Sequence, residues 1–278
     1  MQTRKELLLI MNAYLEAVIE KNPSSLSVSS NCKCTYNGHK INLGESRIWK
    51  NTLVISERQT FVDPIQGGIV FFGIFHNETR DKNMNFKIPN DLYYEPYYVT
   101  IRLKVIDGKI AESEELSTAN RLIWFYADQG DIHLPDLEFE MIVPEEERST
   151  REELVNLVNT YWDCTAKKLP WNALPAHPDA QRIENGYRTT NHSYSFLGDF
   201  KHNKGFYWEV PYSMRSNPVI DPARGVIVNY CFLEYGVEAT PDARGARIVE
   251  AFKVKDGLLC HLMAFFPVLD EGGCGWEV

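Results

Sequence analysis

The sequence lacks a long hydrophobic run. Its longest strongly apolar stretch, residues 68–75, is far shorter than the roughly 20 residues that a membrane-spanning helix needs. Residues 1–6 carry charged side chains where a secretory segment would be apolar. We therefore expect a soluble, cytoplasmic protein with no membrane partner.

Positive charge is scarce as well. The chain has 29 Lys and Arg residues against 38 Asp and Glu residues, a formal net charge of -9, and no run rich in Lys or Arg. Binding to a nucleic-acid backbone requires a concentrated basic surface. We therefore expect no nucleic-acid partner.

The signature motifs of several enzyme classes are absent. There is no G-x-S-x-G elbow, P-loop or G-x-G-x-x-G, which argues against a serine hydrolase, an NTPase and a dinucleotide-binding enzyme. Neither H-x-H, H-E-x-x-H nor C-x-x-C occurs, so we expect no metal, no other cofactor and reduced thiols. Cys32 and Cys34 would share one face of a strand, a weak indication of a metal or redox site.

What the sequence does contain is an internal duplication. Four segments recur in the same order at nearly constant spacing, which chance rarely produces. The matching ranges are 3–6 with 150–153, 33–38 with 181–186, 62–71 with 220–229 and 99–110 with 248–259.

Each repeated unit contains the pattern of a helix, a strand, a loop and three long strands. This pattern predicts an α+β fold in which an N-terminal helix packs on a curved antiparallel sheet. The predicted domains are 1–118, with an insertion at 76–97, and 149–278. An aromatic segment, 119–148, connects them and is expected to pack across their junction.

One strand pair of the second unit carries ionisable groups on apolar faces. With a side-chain period of two, Glu250 shares a face with Ile248 and Phe252, and His261 shares a face with Met263. An unpaired carboxylate in such a place would cost several kcal/mol. We therefore expect Glu250 to be neutral, paired with a cation, or in a cavity that binds a ligand, with His261 beside it.

Three motifs resemble those of a known superfamily. They are a capped N-terminal helix that carries a tyrosine, the strand D-A-x-x-x-E-N-G at 179–186, and the strand pair around K-V-x-D-G at 253–257. Together they resemble the NTF2-like superfamily in its SnoaL-like and ketosteroid-isomerase-like branch. The resemblance covers nearly the whole chain and implies two tandem cone-shaped domains. The superfamily includes both enzymes and non-catalytic binding modules, so the fold does not settle the function.

The resemblance to ketosteroid isomerases implies roles for three residues of the second unit. Glu184 matches the position of the catalytic base at the end of the first strand, and Glu250 that of the neutral acid on the penultimate strand. Tyr161 is the nearest match to the tyrosine that stabilises the oxyanion. His261 joins them as a fourth catalytic candidate from the strand pattern. Candidate substrate-binding residues are His192, Trp208, Asn229, Phe252 and Phe265.

The first unit lacks this acid pair. Tyr36 stands at the position of Glu184, and Ile101 at that of Glu250. We therefore expect chemistry in the second unit only. The first unit would be structural, a lid or a second binding site.

The leading hypothesis is a cofactor-free isomerase, dehydratase, lyase or cyclase acting on a hydrophobic small molecule such as a polyketide, terpenoid or steroid-like compound. One alternative is a non-catalytic small-molecule-binding or scaffold module, and another is a hydrolase that activates water between a glutamate and a histidine. A closed cavity with Glu250 in a salt bridge would favour the scaffold. An open cavity with Glu184, Glu250 and His261 converging would favour the enzyme. The two units are expected to pair as an internal pseudo-dimer, with a homodimer as the alternative.

Overall fold

The computed structural model describes residues 2–79, 93–119, 135–167, 169–185, 187–190, 211–234, 245–265 and 268–269. Within these ranges the chain forms two units of the same design. Each has one long helix on the inner face of a curved sheet. The predicted α+β fold is thereby confirmed.

The first unit contains two helices and six strands. Its elements are α1 (Arg4–Glu20), β1 (Val28–Tyr36), β2 (His39–Ile41), α2 (Arg47–Asn51), β3 (Thr52–Asp63), β4 (Gly68–Thr79), β5 (Tyr93–Ile106) and β6 (Lys109–Ala119). The strand order is β2-β1-β6-β5-β4-β3. All pairings are antiparallel except that of β1 with β6, which is parallel.

The second unit repeats this order after a short helix in the connecting segment. The elements are α3 (Leu137–Glu140), α4 (Arg151–Ala166), β7 (Ala176–Glu184), β8 (Tyr187–Arg188), β9 (Tyr212–Asp221), β10 (Val226–Glu234), β11 (Gly245–Lys255), β12 (Leu258–Phe265) and β13 (Val268–Leu269). The order is β8-β7-β12-β11-β10-β9, and β13 pairs with β11. Here β7 and β12 form the parallel pair. Single turns of 3₁₀ helix occur at Pro23–Ser25, Glu145–Glu147 and Trp171–Ala173.

Local sequence signals explain where these elements begin and turn. Both long helices start with a capping box, in which Thr3 pairs with Glu6 and Thr150 with Glu153. The hairpin between β11 and β12 turns at Asp256 and Gly257, whose φ angles are 50° and 69°. A two-residue turn of this kind needs positive φ at both positions, which Asp-Gly supplies.

The predicted insertion at 76–97 is shorter than expected. The ladder between β4 and β5 continues through His76 opposite Pro96 and reaches Thr79 opposite Tyr93. Residues 76–79 and 93–97 are therefore part of the sheet, because their backbone groups pair with each other. The rest of the predicted insertion lies outside the described residues.

The outer faces of the two sheets pack against each other. Phe265 of β12 lies with its ring centroid 4.9 Å from that of Phe72 and 5.2 Å from that of Tyr98. A continuous apolar cluster joins side chains of both units, and Phe139 of the connecting segment belongs to it. Each sheet thus has one face against its own helix and the other against the opposite unit.

No helix in the part of the chain that the structure describes combines the length and the hydrophobicity needed to span a bilayer.

Candidate active site

Four ionisable side chains of the second unit meet between α4 and the sheet. Arg182 and Glu184 are two residues apart on β7, so they point to the same face. Glu184 is paired across the sheet with Ala264, which is paired in turn with Glu250 on β11. The small side chain of Ala264 leaves space between the two glutamates. The Arg182 guanidinium lies there, within reach of both carboxyl groups.

Arg182 bridges the two acids. Its Nη2 donates to Oε1 of Glu250 at 2.9 Å, and its Nη1 donates to Oε2 of Glu184 and to the Thr189 hydroxyl. Its Nε donates to the Tyr161 hydroxyl at 3.0 Å. Burial alone would lower the pKa of Arg182, but the surrounding acidic groups, Glu184 first, raise it well above its usual value. The side chain is therefore a permanent cation in a buried place.

The backbone around Arg182 is held as firmly as its side chain. The amide of Arg182 donates to the Thr190 hydroxyl at 2.8 Å, and the amide of Thr189 donates to the Arg182 carbonyl at 2.8 Å. These contacts leave the guanidinium little freedom, so the geometry of the acid pair is set in advance.

Glu250 is fully buried, and only one of its two carboxyl oxygens has a hydrogen-bond partner among the described residues. Its Oε1 accepts from Arg182 and from the Tyr161 hydroxyl, at 2.9 and 3.2 Å. Its Oε2 has no hydrogen-bond partner among the described residues. Burial, partly offset by Arg182, raises the pKa of Glu250 to about 7. At neutral pH this carboxyl group is therefore present in both protonation states.

Tyr161 comes from α4, as the helix phase predicts. Its hydroxyl accepts from Arg182 and donates to Glu250, and its ring packs edge-on against Phe252 at 5.0 Å between centroids. Burial raises the pKa of Tyr161 well above its usual value, so the group remains a phenol. Both of its hydrogen-bonding roles are already used within the cluster.

The prediction that His261 lies beside Glu250 is wrong. Val254 pairs with Leu259 but Lys253 pairs with His261, so Cys260 is an extra residue that forms a β-bulge. The bulge reverses the alternation, and His261 points to the opposite face. Its Nε2 lies 2.7 Å from Oδ2 of Asp136 in the connecting segment.

Phe265 is displaced by the same bulge. It was expected to supply contact surface for a substrate, yet it lies in the apolar cluster between the two sheets. Phe252, on β11, is unaffected and faces α4 as expected. The role expected for Phe265 in substrate binding is therefore not compatible with its position.

Asn229 is buried close to the same helix. Its Oδ1 accepts from the indole of Trp162 at 2.8 Å, and its Nδ2 donates to Oδ1 of Asn217 at 2.7 Å. Its amide is thus engaged on both sides within the protein. The other two candidate binding residues, His192 and Trp208, lie outside the described residues.

The first unit contains a buried acid that the sequence analysis missed. Oε1 of Glu115, on β6, accepts from the Tyr14 hydroxyl at 2.5 Å and from the indole of Trp49 at 2.7 Å. Burial raises the pKa of Glu115. In the cross-strand row Glu115 stands between Tyr36 and Ile101, the residues that match Glu184 and Glu250. A comparison restricted to those two positions could not find it. Alternation along β6 from Ile110 would have placed Glu115 on the opposite face, because Ala111 is an extra residue that forms a β-bulge.

Across the described ranges no group of three or more His, Cys, Asp and Glu side chains is placed to hold a metal ion.

Comparison with known proteins gives a family but little else. The model of a family described as "Domain of unknown function (DUF8021)" matches residues 1–117 and 147–266. No curated protein matches the chain significantly.

Several solved structures are similar to a part of this chain. An NTF2-like protein of unknown function from Burkholderia xenovorans is 15% identical, with a TM-score of 0.30, and covers 44% of this chain and 88% of its own. An NTF2-like protein from Cytophaga hutchinsonii is 13% identical, with a TM-score of 0.28, and covers 43% of this chain and 99% of its own. A phenazine biosynthesis-related protein from Pseudomonas aeruginosa is 11% identical, with a TM-score of 0.26, and covers 42% of this chain and 86% of its own. These likenesses concern the fold alone, and within the described residues the chain itself forms two units with the same strand order.

Proposed function

Because the chain belongs to the DUF8021 family, whose description names no activity, we propose its function from the geometry of the second unit. We propose that this unit is a cofactor-free acid–base enzyme. Its substrate would be a hydrophobic small molecule with a carbonyl or similar acceptor group. The reaction would be an isomerisation, dehydration, elimination or cyclisation that begins with proton transfer.

The observation that carries the proposal is Oε2 of Glu250, which has no hydrogen-bond partner in the part of the chain that the structure describes. A buried polar atom without a hydrogen bond costs about 1–3 kcal/mol. A ligand that supplies the missing partner would recover this free energy, and Glu250 would then fix the position of the ligand's polar group. The apolar surroundings of Glu250, which include Phe252 and Ile248, suit an oily substrate.

The hydrogen bonds of Glu250 determine where its proton resides. Both partners of Oε1, the Arg182 guanidinium and the Tyr161 hydroxyl, donate. Oε1 must therefore accept, and the proton of the neutral carboxyl group is placed on Oε2. That oxygen can donate to a substrate carbonyl and stabilise the negative charge that develops there.

Charge balance assigns the two acids different roles. One guanidinium can neutralise one carboxylate, and Arg182 lies against both Glu184 and Glu250. Glu250 takes the proton, and Glu184 remains the candidate base that removes a proton from the substrate. Tyr161 then acts as a positioning residue rather than as the direct oxyanion donor, because its hydroxyl proton already serves Glu250.

A non-catalytic binding or scaffold module is the second candidate. It is favoured by the salt bridge of Glu250 and by the hydrogen bonds that Arg182 and Tyr161 already make within the protein. The hydrolase alternative, in which water lies between a glutamate and His261, loses its support because His261 is on the other face of the sheet.

The test uses 5-nitrobenzisoxazole, a small apolar compound that any well-placed carboxylate base opens to a coloured phenolate. We expect wild-type turnover to fall by about 10²-fold in both Glu184→Gln and Glu250→Gln, the usual contribution of one acid or base. Glu152→Gln, an exposed change on α4, is the matched control and should retain full turnover. If Glu184→Gln and Glu250→Gln match the control, the assignment is wrong. If the wild type shows no turnover above buffer, the non-catalytic candidate stands.

A further inference from the structure

Two thiols lie side by side on β1. Cys32 and Cys34 are separated by one residue, and their Sγ atoms are 3.8 Å apart. Neither cysteine is in a disulfide. The C-x-C spacing on a strand places both side chains on one face, where they could react with each other.

The two thiols differ in exposure. Cys32 is partly exposed, whereas Cys34 is buried with 7% of its surface accessible. The hydrogen bond from Cys34 lowers the pKa of Cys32, and the same contact, with burial, raises the pKa of Cys34. The negative charge of Glu112 offsets part of the lowering of the Cys32 pKa, and that of Glu115 adds to the raising of the Cys34 pKa. An accessible thiol that ionises first, next to a protected second thiol, is the arrangement of a redox-active cysteine and its resolving partner.

The backbone at Cys32 lies outside the regular ladder of the sheet. The pairing of β1 with β6 jumps from Val28 to Lys33, and β2 pairs with β1 only from Cys34 onward. Residues 29–32 therefore form a bulged segment without ladder partners on either side. A disulfide requires Cα atoms within about 7 Å. Residues i and i+2 of a fully extended strand are at about that limit, so only a small change of the backbone is needed to bring the two Cα atoms within it.

We propose that Cys32 and Cys34 form a thiol–disulfide exchange site that reacts with low-molecular-weight disulfides of the glutathione type. The Cys32 thiolate attacks one sulfur of the disulfide, the S–S bond breaks, and the first glutathione leaves as a thiolate. The Cys34 sulfur then attacks the Cys32 sulfur and the second glutathione leaves. Two protein thiols are oxidised, one small disulfide is reduced, and the two protons go to the departing thiolates.

The oxidised form would be a constrained bridge within a single strand. Such bridges are more easily reduced than ordinary structural disulfides, so the reaction should be reversible by excess reduced glutathione. The bridge would also change the wall of the first unit, because Cys34 is paired across the sheet with Ser113, and Glu115 follows Ser113 by two residues on the same face of β6.

The test is incubation of the full chain with oxidised glutathione, followed by non-reducing peptide mass mapping. We expect a Cys32–Cys34 disulfide without retained glutathione in the wild type. Cys34→Ser should keep a glutathione adduct on Cys32, because the resolving thiol is missing. Cys32→Ser should react at least tenfold more slowly at Cys34. Cys260→Ser is the matched control, since Cys260 is also partly exposed but burial raises its pKa, and it should behave like the wild type.

Two outcomes would overturn the proposal. One is a wild type that forms no Cys32–Cys34 bridge, or that modifies Cys260 as fast as Cys32. The other is the absence of a stable adduct on Cys32 in both Cys34→Ser and Cys34→Ala, two variants that fill the site differently. Circular dichroism of each variant establishes that it is folded before its reactivity is compared.

Discussion

At the scale of single residues, the site depends on one arginine shared by two glutamates. Sequence periodicity predicts that Glu250 faces the interior, and the structure agrees. The expectation drawn from the sequence allowed a cation partner for Glu250 without assigning Arg182 to the site. Its position two residues before Glu184, on the same strand face, was sufficient to place it in the site. His261 could not be placed correctly, because the extra residue of a β-bulge leaves no clear mark in the sequence.

The importance of this arginine can be measured. Arg182→Met removes the cation and leaves Glu184 and Glu250 buried without their shared partner. Breaking a buried ion pair in this way costs about 3–5 kcal/mol. We expect urea unfolding at neutral pH to show a loss of this size. The triple variant with Glu184→Gln and Glu250→Gln should regain part of it, since no unbalanced charge then remains.

The control for this measurement is Arg58→Met, because Arg58 is exposed on β3 and its removal should change stability by no more than about 0.5 kcal/mol. An unfolding free energy of Arg182→Met equal to that of Arg58→Met would mean that the cluster is not a tightly coupled buried network.

At the scale of elements, the fold could largely be predicted and the exceptions have local causes. The capping boxes and the Asp-Gly turns fixed both long helices and the final hairpins, because these signals act over three or four residues. The parallel pairing of β1 with β6 and of β7 with β12 is a long-range contact that no local signal encodes. The bounds predicted for the insertion are wrong for the same reason, because long-range pairing extends β4 and β5 into the predicted range.

At the scale of the whole molecule, two reciprocal ion pairs connect the units. Arg151 at the start of α4 donates to Asp63 of the first unit at 2.7 Å. Arg4 at the start of α1 donates to Asp221 of the second unit at 2.6 Å. Asp63 also accepts from the backbone amide of Ile220. The duplication visible in the sequence thus becomes a near-twofold set of contacts between the units.

This set of contacts predicts how stability depends on pH. Asp63→Asn should lower the free energy of unfolding at pH 7 by about 2 kcal/mol, since it removes charge-assisted hydrogen bonds. Burial raises the pKa of Asp63, but the contacts with Arg151 outweigh this effect and lower the pKa overall. Its contribution is therefore present above the unfolded value of 3.8 and is lost as pH falls through the lower folded value.

Urea unfolding at pH 7 and at pH 3 measures this difference. The difference in the free energy of unfolding between wild type and Asp63→Asn should be smaller at pH 3 than at pH 7. The exposed change Asp179→Asn should show no such difference from wild type at either pH. A difference for Asp63→Asn that is equal at both pH values would contradict the ionic nature of the contact.

The central claim is that Glu250 is an acid whose proton is available at neutral pH, and ¹³C NMR of glutamate side-chain carboxyl groups tests it most directly. The resonance that disappears in Glu250→Gln identifies the residue. Its titration midpoint should lie at about 7, because burial disfavours the carboxylate more than Arg182 restores it. A midpoint at or below the ordinary value of 4.5 would mean that Glu250 is simply the ionised partner of Arg182, and the acid–base account would fail.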